Sequence, residues 1–157
     1  MCCNTLIEKL KIHPNCDVNP NFFSHGTSAE EKGQKFKLVL PKGEKDCCRI
    51  EIDKRLVPST DIKKCDFLFQ RCKTEDYFFV ELKGQNIERA FEQLKDTINL
   101  LKKALKMEKY QCHAFICASK VSLPNYSTRK QKFDEEFRKD YGKELRITSS
   151  SPDWVVK

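Results

Sequence analysis

Two carboxylates and a lysine stand beside unusually apolar stretches of this sequence. Asp66 precedes the apolar run 67–69, while Glu81 and Lys83 follow the apolar run 78–80. Charged groups in such surroundings are costly to remove from water unless they are paired or bind a cation. Hard divalent ions such as Mg²⁺ bind one or two carboxylates together with water and phosphate oxygens. Asp66 and Glu81 are therefore candidate metal ligands, and Lys83 is a candidate for orienting an attacking water.

The segments that carry these residues have the patterns of strands. Alternation of apolar and polar residues over 48–53 predicts a half-buried strand, and aromatic-rich segments at 65–69 and 77–83 predict two more. The polar stretch between the last two has the length of a hairpin connection. The three strands should form an antiparallel meander.

Strand geometry decides whether the charged groups can meet. Side chains alternate across a strand, so Glu81 and Lys83 should project from the same face. A hairpin brings Asp66 close to Glu81 only if the register and the facing of the two strands agree, which the sequence alone leaves open.

After the meander, the spacing of apolar residues changes from that of a strand to that of a helix. Apolar residues recur at helical spacing between Ile87 and Leu105, with lysines on the opposite side. Residues 111–119 read as a buried strand, which after a crossover helix usually lies parallel to the strand before it. A last helix is predicted over 128–141, followed by a short strand over 145–148.

The part before the meander contains two capping-box patterns, which begin at Thr5 and Ser28 and each predict a short helix. Residues 14–27 between them read as a loop, and 36–40 as a strand. No repeat or linker divides the chain, so 1–157 is interpreted as a single α/β domain.

Composition favours an intracellular protein that binds polyanions. Lys and Arg number 30 against 23 Asp and Glu, and the net charge of +7 favours phosphate contacts. Neither a secretory signal nor a membrane span is indicated, so we expect a cytoplasmic protein. Nine cysteines, an odd number, then favour reduced thiols that mostly pack in the core. No CxxC spacing occurs, so a structural zinc site is not indicated.

The pair Cys65-Asp66 followed by Glu81-Leu82-Lys83 resembles the PD-(D/E)xK nuclease signature, with Cys in place of the usual Pro. The resemblance covers a core from about residue 48 to 120. It implies a restriction endonuclease-like fold, a mixed central sheet with an antiparallel meander, a crossover helix and flanking helices. It also implies that Asp66 and Glu81 bind Mg²⁺ or Mn²⁺, that Lys83 assists catalysis, and that DNA phosphodiester bonds are hydrolysed, in restriction, repair or defence.

Further site residues follow from the same resemblance. Gln93 resembles the Gln that many members carry on the helix after the motif, near the active centre. Members often add an acidic residue as a metal ligand, and Glu31 and Glu51 are the leading candidates among several, with Glu31 expected on a helix before the core. Specificity would have to come from loops, a homodimer or a partner protein. The alternative is an inactive accessory subunit with the nuclease fold, against which the intact charged set argues.

Overall fold

The chain has a mixed α/β fold in which six strands follow the first helix and further helices lie between later strands. The structure is a computed structural model that describes residues 2–31, 33–84, 86–118, 126–148 and 153–156, apart from the side chains at 2, 83, 84, 118, 126 and 127. Within this part of the chain the α-helices are α1 (Cys2–Leu10), α2 (Ile87–Leu101) and α3 (Tyr126–Tyr141). The strands are β1 (Phe23–His25), β2 (Ser28–Glu31), β3 (Gln34–Val39), β4 (Cys47–Glu51), β5 (Phe67–Arg71), β6 (Asp76–Gly84), β7 (Cys112–Ala118), β8 (Leu145–Thr148) and β9 (Asp153–Val155). No helix among the described residues is long and apolar enough to cross a bilayer.

The large sheet has six strands in the order β1-β4-β5-β6-β7-β8. β4, β5 and β6 are antiparallel neighbours, which confirms the predicted meander. β7 lies parallel to β6 and β8 lies parallel to β7. A parallel neighbour needs a crossover connection, and α2 supplies it between β6 and β7. The predicted mixed sheet with a crossover helix is therefore confirmed.

One face of the large sheet, here called the helical face, is covered by the three helices. Alternate residues of the central strands, such as Ile50, Leu68 and Phe79, point to this face and belong to one buried cluster with the apolar stripe of α2. Leu6 of α1 and Phe137 of α3 join the same cluster. Burying one stripe of each amphipathic helix against the sheet is what holds this layer in place.

The opposite face, here called the β face, is covered by a small sheet in the order β2-β3-β9. Phe36 of β3 is buried against two rings of the large sheet, with centroid distances of 5.3 Å to Phe69 and 4.8 Å to Phe115. Trp154 of β9 packs edge-on against Phe78 at 5.2 Å. Since β9 pairs in parallel with β3, these two strands together close a second apolar core.

The segment from Ser28 to Glu31 was predicted as a helix, and this is wrong. It forms strand β2, which pairs with β3 in the register Ala29 to Phe36. The capping-box pattern is short, and a helix of so few residues has no apolar stripe to bury, whereas strand pairing places Ala29 in the core of the β face. The predicted loop at 14–27 likewise contains β1, whose Phe23 is buried beside β4.

The prediction of reduced thiols needs a correction, because Cys3 of α1 forms a disulfide with Cys48 of β4. Their Cα atoms are 5.4 Å apart, a proximity that arises from the packing of α1 on the sheet and that no local spacing reveals. Cys72 is also disulfide-bonded. The free thiols of the described residues are mostly buried, as expected for core cysteines; they are Cys16, Cys47, Cys65, Cys112 and Cys117.

Asn86 caps the N-terminus of α2. It has extended backbone, and its side-chain oxygen accepts the N–H of Arg89 at 3.2 Å. We expect Asn86→Ala to lower the free energy of unfolding by about 1 kcal/mol, because one N-terminal N–H loses its acceptor. Asn86→Ser keeps a capping oxygen and should cost much less. Urea unfolding of both variants measures the difference, and equal losses would contradict a capping role.

Candidate active site

Asp66 and Glu81 lie on neighbouring segments of the chain at one edge of the large sheet. β5 begins directly after Asp66, while β6 passes through Glu81 shortly before it ends. The antiparallel register pairs Phe67 with Val80, so the start of β5 lies beside the last part of β6. The crossover helix α2 begins at the same edge. Hairpin pairing thus brings two carboxylates that are distant in sequence to neighbouring positions.

Asp66 is held firmly between its two neighbouring strands. Its side chain is buried, and Oδ2 accepts the N–H of Leu82 in β6 at 2.9 Å. Its own N–H donates to the carbonyl of Val80 at 3.1 Å, and its carbonyl accepts the N–H of Ile52 at 2.9 Å. The carboxylate therefore lies against β6 at the residue that directly follows Glu81.

Glu81 is even more buried, with 1% of its surface exposed. Its sequence neighbours Val80 and Leu82 belong to the core of the β face, whereas its parallel partner Ile116 belongs to the core of the helical face. By alternation, Glu81 points to the helical face. This is the face against which α2 packs.

Cys65, the residue before Asp66, has a fully buried thiol. Burial is the largest cause that raises the pKa of Cys65 well above its usual value, and the negative charges of Glu81 and Asp66 raise it further. Both carboxylates therefore act on the same fully buried sulfur atom. Cys65 occupies the place where the nuclease signature usually has Pro.

The donor set formed by Asp66 and Glu81 fits a hard divalent cation. Two carboxylates near each other in a buried environment repel, and a bound cation would offset that repulsion. Mg²⁺ and Mn²⁺ prefer oxygen ligands, and Mg²⁺ typically takes only one or two carboxylates and completes its shell with water and phosphate oxygens. Within the described residues no group of three or more His, Cys, Asp or Glu side chains is placed to hold a metal. The protein part of such a site would therefore consist of these two groups.

Glu31 and Glu51 lie on strands β2 and β4, outside the hairpin of β5 and β6 at whose end Asp66 and Glu81 lie. Glu51 pairs with Phe67, whose side chain lies in the core of the β face, and it forms an ion pair with Arg55 at 3.3 Å. Glu31 ends β2 in the small sheet, which covers the β face. Strand alternation explains the position of Glu51, because its apolar neighbours in β4 occupy the helical face.

The backbone near Lys83 departs from regular strand geometry. The register of β6 against β7 shifts between the pairs Glu81 to Ile116 and Gly84 to Ala118, so β6 carries an extra residue there. Simple alternation from Glu81 does not extend through such an irregularity. The side chain of Lys83 lies outside the described part of the chain, and its role stays a prediction.

Gln93 lies near the candidate site but contacts backbone. Its amide Nε2 donates to the carbonyl of Lys64 at 3.3 Å. One turn further along α2, Thr97 Oγ1 accepts the N–H of Cys65 at 2.8 Å and donates to the carbonyl of Gln93 at 2.7 Å. The sequence analysis missed Thr97, although a polar residue within the apolar stripe of α2, next to Ile98, was a usable signal.

A cleft of about 720 Å³ borders this edge of the sheet. Lys64 is buried there, and its amine donates to the carbonyl of Ser59 and lies 3.9 Å from Asp53. Basic and acidic groups alternate along its walls, including an ion pair of 2.8 Å between Lys63 and Glu92. The cleft is lined by Asp53, Lys54, Pro58, Thr60, Asp61, Ile62, Lys63, Lys64, Asn86, Glu88, Arg89, Glu92 and Gln93.

The described residues that line the cleft include four basic and four acidic side chains, and neither Asp66 nor Glu81 is among them. The basic side chains are suited to phosphate oxygens. Searches against protein-family models, curated proteins and solved structures return no match for this chain.

Proposed function

We propose that this chain is a metal-dependent nuclease with a restriction endonuclease-like fold, which hydrolyses DNA phosphodiester bonds with Mg²⁺ or Mn²⁺. The observation that carries the proposal is the pair of buried carboxylates, Asp66 and Glu81, at one edge of a mixed sheet. The order of meander, crossover helix and parallel strand agrees with the core that the PD-(D/E)xK resemblance implies. A buried pair of like charges has a clear use in holding a cation.

Each group has a defined task in this proposal. Asp66 and Glu81 would hold the ion through carboxylate oxygens, and the chemistry it would supply is polarisation of the scissile phosphate. Lys83 orients the water that attacks phosphorus and offsets the negative charge that develops on the phosphate as the bond to the leaving oxygen breaks. Gln93 holds the backbone that leads to Asp66 and does not itself touch the reacting atoms.

The proposed substrate is DNA, bound mainly through its phosphates. The net charge of +7 favours a polyanion, and Lys54 and Arg89 line the cleft that also contains Lys64, two residues before Asp66. The proposed setting is cytoplasmic, in restriction, repair or defence. A homodimer or a partner protein would add sequence specificity.

One observation favours the alternative of an accessory subunit without turnover. Asp66 and Glu81 have only 4% and 1% of their surfaces exposed. Buried ionic groups are sometimes retained for structural specificity and not for chemistry. A cleavage experiment separates the two functions directly.

The decisive experiment is to incubate the purified chain with supercoiled plasmid, linear duplex and single-stranded DNA in Mg²⁺, Mn²⁺ or EDTA. We expect cleavage with either metal and none in EDTA. Asp66→Asn, purified in the same way, should be inactive because it keeps the shape of the side chain and removes the charge that holds the ion. If the wild type cleaves nothing under any condition, the accessory-subunit function is favoured. Cleavage that persists in the Asp66→Asn preparation would point to a contaminant.

A further inference from the structure

Thr97 is an exception in the buried stripe of α2, where every other buried residue is apolar. Its side chain has no exposed surface. Burying a hydroxyl costs free energy unless its hydrogen-bonding capacity is used. The partners of Thr97 therefore indicate why a polar residue occupies this position.

The Thr97 hydroxyl is both a hydrogen-bond donor and a hydrogen-bond acceptor. Oγ1 donates its single hydrogen to the carbonyl of Gln93 at 2.7 Å, the bond that Thr commonly makes one turn back in a helix. With a lone pair it accepts the N–H of Cys65 at 2.8 Å. Because the first bond fixes the direction of the hydrogen, the lone pair is oriented toward the chain that enters β5.

Together, Gln93 and Thr97 hold one peptide group at both ends. The carbonyl of Lys64 and the N–H of Cys65 belong to the same planar peptide unit. Gln93 donates to its oxygen and Thr97 accepts from its nitrogen, and both come from one rigid helix. The plane of this peptide, which lies one residue before Asp66, is thereby fixed.

We propose that Thr97 is a positioning residue of the candidate metal site, acting through the backbone of Cys65 on the carboxylate of Asp66. The inference rests on the proposed function. Asp66 is fixed on its other side by the bond from the N–H of Leu82 to Oδ2. Without the hydrogen bond to Thr97, the peptide between Lys64 and Cys65 is less constrained. The carboxylate of Asp66 should therefore be less well oriented toward a cation. Replacing a residue that holds a metal ligand in position typically lowers metal affinity by roughly 10- to 100-fold.

The test compares Thr97→Val, which keeps the shape and loses the hydroxyl, with Thr97→Ser, which keeps the hydroxyl. Binding of Mn²⁺ to the metal-free proteins is followed by the electron paramagnetic resonance signal of the free ion. The metal concentration that gives half-maximal DNA cleavage is measured separately. We expect Thr97→Val to raise the dissociation constant for Mn²⁺ and the half-maximal metal concentration for cleavage, each roughly 10-fold or more. Excess metal should restore much of the cleavage by Thr97→Val. Thr97→Ser should stay close to the wild type in both measurements.

Tyr141→Phe is the matched control, because it removes a hydrogen bond of 3.0 Å between Tyr141 and Asn99 of the same helix α2. It should reduce stability and leave Mn²⁺ affinity unchanged. Folded Thr97→Val with wild-type Mn²⁺ affinity overturns the inference, as does Thr97→Ser with the same defect as Thr97→Val. If Thr97→Val does not fold, Gln93→Leu, which releases the other end of the peptide, decides by the same Mn²⁺ measurement.

The two proposals fail in distinguishable ways. A wild-type protein that neither binds Mn²⁺ nor cleaves DNA contradicts the proposed function and the role of Thr97 together. Normal binding and cleavage by the wild type, with no change of Mn²⁺ affinity in folded Thr97→Val, contradict only the role of Thr97.

Discussion

Replacing Glu81 with glutamine should reduce metal-dependent DNA cleavage by at least about 100-fold. The substitution keeps the size of the side chain and removes one of the two charges proposed to hold the ion. A bound metal contributes several kcal/mol of transition-state stabilisation, and each 1.36 kcal/mol corresponds to about tenfold in rate. Single-turnover cleavage of linear duplex DNA at saturating Mn²⁺ measures the loss. Retention of wild-type rates would remove Glu81 from the site.

The same substitution should abolish the stabilisation that bound metal gives to the wild type. Glu81 is 1% exposed, and it is one of the two residues proposed to hold the ion. Metal should therefore stabilise the wild type and not Glu81→Gln. A hundredfold excess of metal over its dissociation constant should stabilise the wild type by about 2.7 kcal/mol, or roughly 5–10 °C in Tm. The variant should show no such shift.

Two further variants make this comparison specific. Lys83→Ala removes the proposed water-orienting group and no ligand, so it should lose cleavage while the metal still raises its Tm. Glu144→Gln changes an acid that pairs with Arg146 at 3.1 Å, next to β8, and should behave like the wild type in both measurements. A metal-induced shift of Tm that survives in Glu81→Gln would place the ion elsewhere.

Replacing both Cys3 and Cys48 with alanine should lower the free energy of unfolding by about 4 kcal/mol. The disulfide closes a loop with a sequence separation of 45 residues, and in the chain-entropy description a loop of this length restricts the unfolded chain by about that amount. Urea unfolding without reductant, followed by the fluorescence of the single tryptophan, Trp154, measures the loss.

The neighbouring cysteine supplies the control for this prediction. Cys47 is free and fully buried, and burial raises its pKa to about 12. Cys47→Ala removes a sulfur atom from the core of the β face without breaking a crosslink, and should cost about 1 kcal/mol. Equal losses in Cys47→Ala and in the double variant would mean that the Cys3–Cys48 bond adds no stability.

Elements with a clear period could be predicted from the sequence. α2 follows from apolar residues at helical spacing from Ile87 onward, and β5 and β6 follow from aromatic runs bounded by polar residues. Because the turn between these strands is short, their antiparallel pairing follows as well. Their register, on which the position of Asp66 relative to Glu81 depends, is left open by the sequence.

Features that depend on distant packing could not be predicted. The residues from Ser28 to Glu31 form a strand only because β3 pairs with them over the β face. The bond from Cys3 to Cys48 requires α1 to lie on the sheet. The role of Thr97 depends on which peptide α2 meets in three dimensions. β3 follows β2 closely in the sequence, but the large sheet that their side chains cover lies far away, as do the partners of Cys3 and Thr97.

The parallel pairing of β3 with β9 has a consequence for synthesis on the ribosome. Leu38 pairs with Trp154, so the second apolar core lacks its closing strand while the intervening chain is being made. During that time the rings of Phe36 and Phe69 are not yet covered by Trp154 or its neighbours. Exposed aromatic surface and unpaired strand edges favour aggregation of nascent chains. Folding of this protein in the cell is therefore a late event that should benefit from chaperones that shield the β3 edge.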